Sequence, residues 1–296
     1  MRVDDLVDAV RLAGRLNDGD TDFPDARIRQ ELTDAQHAVF GHAIVQARAG
    51  AWLKVQETTT EASRVRYRLP YRACAGVGET IQISDAIGKP YEIHGDQLVF
   101  ETAPTAGSTL SFLYYARPSL LVEEQASAGE VTAVDTAAYT VTVDTALPVN
   151  RVTAATIATG DRVDIVHSNG WHELSLVNTT CTISSLTLTF PTGTDLTDVE
   201  VGDFVRAADQ TDWPCLPDDF HRPLANITAA RIARMRGNFT RAEQLEKEFY
   251  GPDGNGGDFG RFKDILVPRI KDSRDVCVPR FGIFRGSTIP FLTGSS

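Results

Sequence analysis

The sequence predicts an α+β fold: a helical core with a small antiparallel sheet, an inserted all-β domain (a barrel or a sandwich) and an extended C-terminal arm. Apolar residues recur every three or four positions near both ends of the chain and every second position between them. Residues 118–220 carry 16 Asp or Glu against three Arg, a net charge of −13 that leaves +2 for the rest of the 296-residue chain. We therefore predict a core of residues 1–118 and 214–272, an acidic β insert of residues 119–213 and an arm of residues 273–296.

The overall composition is that of a folded chain. Hydrophobic residues make up 42% and charged residues 23%, close to ordinary globular usage, and 14 Phe supply material for a core. The four cysteines include no Cys-x-x-Cys pair, so neither a zinc knuckle nor a disulfide framework is indicated, and a reducing compartment fits. No apolar run approaches the roughly 20 residues of a membrane span. We expect neither secretion nor membrane insertion.

Two amphipathic helices are predicted in the N-terminal region. The first covers residues 2–16, and the second begins at Pro24 and runs to Gly50. Aspartates on either side of that proline, Asp22 and Asp25, offer capping oxygens. The predicted apolar faces consist of Val3, Leu6, Val7, Val10 and Ala13, and of Ile28, Leu32, Ala35, Val39, Ala43 and Ala47.

Strands are predicted through the middle of the chain, including a hairpin that turns at Gly95. Those of the insert are short, evenly spaced and rich in Thr and Val, which is typical of a barrel or sandwich. After Pro217 apolar residues again recur every three or four positions, which predicts two helices around Leu224 and Leu245 and a short segment of residues 262–270. The predicted strands are 64–69, 80–84, 91–93, 97–100, 109–114, 130–135, 139–144, 162–167, 172–177, 186–190 and 204–207.

The metal-binding patterns of the sequence are incomplete. His172-Glu173 is followed by no second histidine at the spacing that places two imidazoles on one helix face. His37 and His42 are five residues apart on a predicted helix and therefore point to different faces. The loop Asp253–Asp258 is interpreted as a flexible connector, because it lacks the bidentate glutamate that closes a calcium site. We expect no metal and no cofactor.

No catalytic motif stands out either. There is no Gly-x-Ser-x-Gly elbow, no phosphate-binding glycine loop and no cysteine in a nucleophile context, although residue counts alone leave Ser-His-Asp catalysis open. Asp218 and Asp219 are interpreted as the N-terminal cap of the helix that follows them. We expect no catalytic residues and no enzymatic activity.

The C-terminal tail interleaves cations with aromatic and aliphatic side chains, and residues 261–296 carry a net charge of +4. That mixture suits single-stranded nucleic acid, and it also suits an arm that adds a strand or fills a groove on another protein. The interrupting glycines and the acidic charge of the whole chain favour docking on protein. The predicted partner-binding residues are Arg280, Phe281, Ile283, Phe284 and Arg285.

Outside the insert, short motifs follow one another in a recognisable order. They are Ala51-Trp52-Leu53, Tyr67-Arg68-Leu69-Pro70, Tyr91-Glu92-Ile93-His94-Gly95 with Leu98, Leu113-Tyr114-Tyr115, Leu216-Pro217-Asp218-Asp219-Phe220, and the alanine-rich face of Leu224, Ala225, Ala229, Ala230 and Ala233. In this order the chain resembles the head-to-tail adaptors of short-tailed bacteriophages, also called tail tubular protein A or portal-bound head completion proteins. The resemblance covers about two thirds of the chain.

The resemblance implies a structural protein of the virion, assembled in the host cytoplasm and placed at the head-to-tail junction. About twelve copies would form a ring bound to the portal protein, continue the channel for double-stranded DNA without recognising its sequence, and hold a tail nozzle or tube protein. The tail residues named above would then bind the portal or a neighbouring subunit. No membrane contact is implied.

The acidic insert departs from the simplest members of that family, and two interpretations of its charge stay open. Its carboxylates either line the channel and repel DNA phosphates, or keep a peripheral domain soluble. Two other functions also stay open: a tail component such as a nozzle, and a β-rich, carbohydrate-acting tail enzyme. In the enzyme, Trp171 and Trp213 would be sugar platforms and Glu173 the residue to test.

Overall fold

A computed structural model of the chain combines helices with mainly antiparallel strands, which confirms the α+β class. Two compact units emerge from the contacts: Met1–Trp52 with Arg117–Val267, and a second unit whose described residues lie within Leu53–Ala116. This division differs from the predicted one, because residues 119–213 fall into the same unit as the helices. The structure describes residues 1–17, 20–41, 53–70, 72, 81–83, 90–123, 129–144, 162–170, 172, 174–252, 254 and 256–266.

Five α-helices of the described residues belong to the first unit. Of the apolar stripe predicted for the first helix (Val3–Gly14), Val3, Leu6, Val7 and Val10 are buried and Ala13 is half-buried. This helix packs along the helix His221–Met235, where a Cβ on Gly14 would lie 3.7 Å from the Ala229 side chain. The alanine-rich face of α3 is buried as well. The helices are α1 (Val3–Gly14), α2 (Asp25–Ala35), α3 (His221–Met235), α4 (Phe239–Tyr250) and α5 (Gly257–Leu266), with a 3-10 turn at Asp218–Phe220.

Phenylalanines fill the space between these helices. Phe262 of α5 meets Phe40 and Phe220 edge to face, with ring centroids 4.9 and 4.8 Å apart, and Phe40 meets Phe249 of α4 at 5.8 Å. Edge-to-face pairs each add about 0.5–1.5 kcal/mol beyond the area that they bury. Phe40 follows α2, so this cluster joins the N-terminal helices to α4 and α5.

The predicted second helix changes geometry at Ala35. A π-helical segment, Gln36–Gly41, follows α2, and residues 42–50 of the prediction lie outside the described residues. The predicted side-chain cap is wrong: Pro24 is the N-cap and no side chain bonds the free amides, while Asp25 pairs with Arg11 of α1. At the other end of the unit, α5 already begins at Gly257, inside the predicted flexible loop.

A seven-stranded antiparallel sheet forms the β part of the first unit, in the order β11-β10-β14-β8-β9-β13-β12. Its two edge strands are consecutive in the chain and are separated by Cys181 alone, so the sheet must curl around its apolar core. The strands are β8 (Gly129–Asp135), β9 (Thr140–Val143), β10 (Arg162–Val166), β11 (Leu174–Thr180), β12 (Thr182–Ser184), β13 (Thr187–Thr189) and β14 (Phe204–Ala207).

The second unit contains two three-stranded antiparallel sheets, β1-β6-β3 and β2-β5-β4, where one was predicted. The predicted hairpin is confirmed: β4 and β5 pair around Gly95, whose φ of +62° favours glycine. The strand β1 was not predicted, because its side chains from Lys54 to Thr59 are exposed or half-buried and only Val55 among them is apolar. The strands are β1 (Leu53–Thr59), β2 (Arg66–Arg68), β3 (Ile81–Ile83), β4 (Tyr91–His94), β5 (Gln97–Phe100) and β6 (Thr109–Tyr115).

Two connecting passages of the chain lie side by side: one leads from β6 toward the seven-stranded sheet, and the other returns from that sheet to the helices. The short strands β7 (Leu120–Leu121) and β15 (Gln210–Thr211) pair in parallel there. The buried Gln36 amide bonds both passages: its Nε2 donates to the Ser119 carbonyl at 3.0 Å, and its Oε1 accepts from the Cys215 amide at 3.2 Å. One side chain of the π-helical segment thus holds the entry and the exit of the sheet together.

Removing that amide tests its contribution to stability. We expect Gln36→Met to lower the free energy of unfolding by about 2–4 kcal/mol, because a buried carbonyl and a buried amide each lose a partner. Urea unfolding followed by circular dichroism measures the change, and Gln30→Met, on the exposed side of α2, is the matched control. Equal effects of the two substitutions would contradict the assigned role.

Candidate functional site

Three ligand-bearing side chains meet where the seven-stranded sheet joins the helices. His172 lies between β10 and β11, Asp218 opens the 3-10 turn and His221 is the first residue of α3. His172 Nε2 is 3.0 Å from Asp218 Oδ1, and His221 Nδ1 is 3.5 Å from the same oxygen. Both imidazoles are buried, whereas the Asp218 side chain is 59% exposed. Solvent therefore reaches the cluster at the carboxylate.

A local turn places His172 in this position. Its backbone is left-handed, with φ of +47°, and its amide donates to the carbonyl and the side-chain oxygen of Asn169 at 3.0 and 3.2 Å. Left-handed backbone is uncommon for a residue other than glycine and is stabilised here by these bonds. The turn directs the imidazole toward the helices.

Backbone carbonyls fix the orientation of both imidazoles. His221 Nε2 donates to the Leu216 carbonyl at 2.9 Å, and His172 Nδ1 donates to the His167 carbonyl at 3.3 Å. A carbonyl oxygen can only accept, so the proton of the His221 ring is on Nε2, whereas the two partners of His172, the His167 carbonyl and the Asp218 carboxylate, both accept from its ring. The other nitrogens, His221 Nδ1 and His172 Nε2, point to Asp218.

The electrostatics of the cluster keep His221 neutral. Burial, together with the positive charges of the Met1 amino group and His172, lowers the pKa of His221 to about 4. Its Nδ1 lies 2.9 Å from the Met1 amino nitrogen and accepts a hydrogen bond from it. Burial is also the largest influence on that amino group and lowers its pKa, while Asp218 and Asp5 oppose the change.

Asp218 is ionised in this environment. Partial burial opposes its ionisation, but the hydrogen bond from His172 and the nearby Met1 amino group outweigh burial and lower the pKa of the carboxyl. The cluster thus presents a carboxylate and a neutral imidazole side by side.

Stacked rings support the two imidazoles. His172 lies between His221 and Trp213, with ring centroids 5.3 and 4.8 Å away, and Phe204 of β14 follows Trp213 at 5.9 Å. The Arg2 guanidinium lies over the Trp213 ring at 5.6 Å. Because these residues come from the sheet, the returning passage and both ends of the helical region, the stack fixes the cluster from several elements at once.

A buried ion pair lies next to the stack. Arg206 of β14 donates from Nε to Asp212 Oδ1 at 2.6 Å, and both side chains are buried. The Asp212 carbonyl accepts from the Val3 amide at 2.9 Å, so the start of α1 is attached to the residue before Trp213. Burial lowers the pKa of Arg206 and Asp212 opposes that change.

The interpretation of Asp218 and Asp219 as a helix cap is wrong. Neither the 3-10 turn nor α3 has a side-chain cap, because the Asp218 carboxylate bonds His172 instead. His37 bonds the Pro118 carbonyl at 2.8 Å. The other candidates from the sequence lie outside the described residues: His42, Trp171, Glu173, Asp253, and the tail residues Arg280, Phe281, Ile283, Phe284 and Arg285.

The cluster offers ligand atoms for a metal ion. One ligand atom each of His172, Asp218 and His221 lies within 4.8 Å of the others. Two imidazole nitrogens and a carboxylate are a ligand set of zinc and related ions. Within the described residues, neither imidazole bonds a hydroxyl or a thiol, so neither has the nucleophile of a Ser-His-Asp or Cys-His arrangement there.

Comparison with protein-family models, with curated proteins and with solved structures finds no match for this chain. In the part of the chain that the structure describes, no helix combines the length and the apolar character needed to cross a membrane.

Asp218 and its neighbour Asp219 form a natural pair of test and control. We expect Asp218→Ala to lower the free energy of unfolding by about 1 kcal/mol, because His172 Nε2 loses its acceptor while solvent screens the exposed carboxylate. Asp219→Ala removes an exposed carboxylate one position away and should leave stability unchanged. Chemical unfolding of both variants in buffer with chelator measures the difference, and an equal loss in both would rule out the bond to His172 as the cause.

Proposed function

We propose that this protein is a structural, non-enzymatic head-to-tail adaptor of a short-tailed bacteriophage, which forms a ring beneath the portal protein and docks the tail. The observation that carries the proposal is the packing of the N-terminal helix on the helices that follow the β region. Arg241 of α4 donates to the Ala13 carbonyl from Nε and Nη2, at 3.0 and 2.9 Å, across 228 residues of sequence. One helical core that carries inserted β structure suits a ring subunit.

The finer organisation is part of the same proposal. Residues 119–213 are an inserted β domain held on the helical core, and residues 273–296 are an extended arm. We propose that the portal or a neighbouring subunit is bound by Arg280, Phe281, Ile283, Phe284 and Arg285. The same contact would be repeated at every subunit of the ring. No cofactor is needed for this role.

The carboxylates of the insert fall into two groups, buried and exposed. Asp164, Asp203, Asp209 and Asp212 are buried and accept hydrogen bonds that hold turns and strands. The carboxylates of the insert available to face a DNA channel are therefore the exposed ones of the described residues: Glu130, Asp135, Asp144, Asp195, Asp198 and Glu200. Channel lining and solubility remain the two proposals for these carboxylates.

A carbohydrate-acting enzyme is less well supported than the adaptor. Trp213, one of its sugar platforms, is half-buried and stacks on His172 and Phe204, so its ring already serves packing. The other candidate, a tail nozzle protein, would also lie in the virion, but it would not bind the portal protein directly as an adaptor does. Binding to the portal separates the two.

Electron microscopy of the chain, alone and with the portal protein of its phage, tests the adaptor proposal. We expect rings of this chain on the portal, and we expect the variant Phe281→Ser/Phe284→Ser to lose them, because the arm loses its apolar anchors. Ser287→Ala/Ser295→Ala changes the same segment without removing apolar groups and serves as the control. Failure of the unaltered chain to bind portal, or hydrolysis of polysaccharide that is lost in Glu173→Ala, would overturn the proposal.

Charge reversal distinguishes the two proposals for the exposed carboxylates. In the channel-lining version, Glu130→Lys/Asp198→Lys/Glu200→Lys slows DNA ejection from assembled particles, since phosphates are then attracted. Asp8→Lys/Asp34→Lys/Glu243→Lys makes the same charge change on exposed helix positions and leaves ejection unchanged. The channel-lining version fails if the insert variant ejects DNA at the normal rate and only loses solubility.

A further inference from the structure

We propose that His172, Asp218 and His221 bind one divalent transition-metal ion of the zinc class, which cross-links the seven-stranded sheet to the helices. The inference rests on side-chain geometry within the first unit and is independent of the proposed adaptor function. His172 belongs to the sheet side of the junction, while Asp218 and His221 belong to the helical side.

The spacing of the ligand atoms fits such an ion. Zinc–nitrogen and zinc–oxygen bonds of about 2.0–2.2 Å at tetrahedral angles separate two ligand atoms by about 3.3–3.6 Å. The distances from Asp218 Oδ1 to the two imidazole nitrogens are 3.0 and 3.5 Å, and all three ligand atoms lie within 4.8 Å. Small side-chain movements are enough to place the three atoms around one ion.

Both imidazoles are already oriented as metal ligands. Metal-binding histidines usually donate their second N–H to a carbonyl or carboxylate, which fixes the ring and the tautomer. His221 does so to the Leu216 carbonyl and His172 to the His167 carbonyl, so the remaining nitrogen of each ring faces Asp218. Stacking on Trp213 restrains the His172 ring further.

The ligand set selects the chemical class of the ion. Two imidazoles with one carboxylate suit Zn²⁺, Co²⁺ or Ni²⁺, whereas Ca²⁺ and Mg²⁺ prefer oxygen ligands alone. Binding replaces the proton that His172 Nε2 donates to Asp218, and this proton leaves to solvent. It also replaces the hydrogen bond from the Met1 amino group to His221 Nδ1. Asp218 is exposed, so the ion enters from its side, and water completes the coordination.

Titration of the metal-free full chain, purified with a C-terminal tag and then stripped with chelator, tests the site. We expect Co²⁺ to bind with one ion per chain and to give the intense visible absorption of tetrahedral cobalt, which Zn²⁺ abolishes. Zn²⁺ at about one hundred times its Kd should raise Tm by about 5 °C. Ca²⁺ at the same concentration should leave Tm unchanged.

Matched variants assign the ligands. Asp218→Asn keeps the shape of an exposed side chain and should weaken Co²⁺ binding at least tenfold; His172→Ala should weaken it about a hundredfold. His94→Ala removes an exposed imidazole of the second unit and should bind Co²⁺ as the unaltered chain does. The proposal is overturned if the absorption is absent at one equivalent of Co²⁺, or if Asp218→Asn and His172→Ala, checked for folding by circular dichroism, titrate like His94→Ala.

Discussion

Two passages of the chain, one entering the seven-stranded sheet and one leaving it for the helices, lie side by side, and the buried polar groups in them must be bonded. A buried amide or carbonyl without a partner costs about 1–3 kcal/mol. Gln36 supplies partners to both passages through one side chain, and the parallel pair β7–β15 satisfies the adjoining backbone. The positions of Asp212, Trp213 and the residues after them depend on this constraint, because they follow directly on β15.

The polar cluster is a consequence of the same junction. Trp213 follows β15 closely in the chain, and its ring stacks between His172 and Phe204 of the sheet side. Asp218 and His221 follow a few residues later. Two of the carboxylates beside it form ion pairs: Asp212 pairs with the buried Arg206, and Asp209 pairs with the half-buried Arg117. Such pairs contribute little net stability, but breaking one leaves a buried charge, so they fix which strands and turns meet.

Periodicity predicted the elements that bury one continuous apolar face. The stripe of α1 and the hairpin around Gly95 are examples, since spacing and turn chemistry are local properties. It did not predict β1, whose side chains from Lys54 to Thr59 are exposed or half-buried, or the role of Gln36, a polar residue that faces inward for its hydrogen bonds. The local net charge indicated where the insert lies. It overestimated the number of carboxylates on the insert surface, because several of its aspartates are buried and accept hydrogen bonds.

The cluster of His172, Asp218 and His221 lay beyond sequence reasoning for a different reason. Known metal motifs are recognised by ligands at short, regular spacings in the sequence. Here 46 residues separate the imidazole of His172 from its carboxylate partner, and a sheet strand, a returning passage and a helix end bring them together. Asp218 precedes a helix, and that position alone suggests a cap. Its carboxylate bonds His172 because the turn from Asn169 to the left-handed His172 places the imidazole beside it. A single turn in the insert therefore decides how the helical region begins.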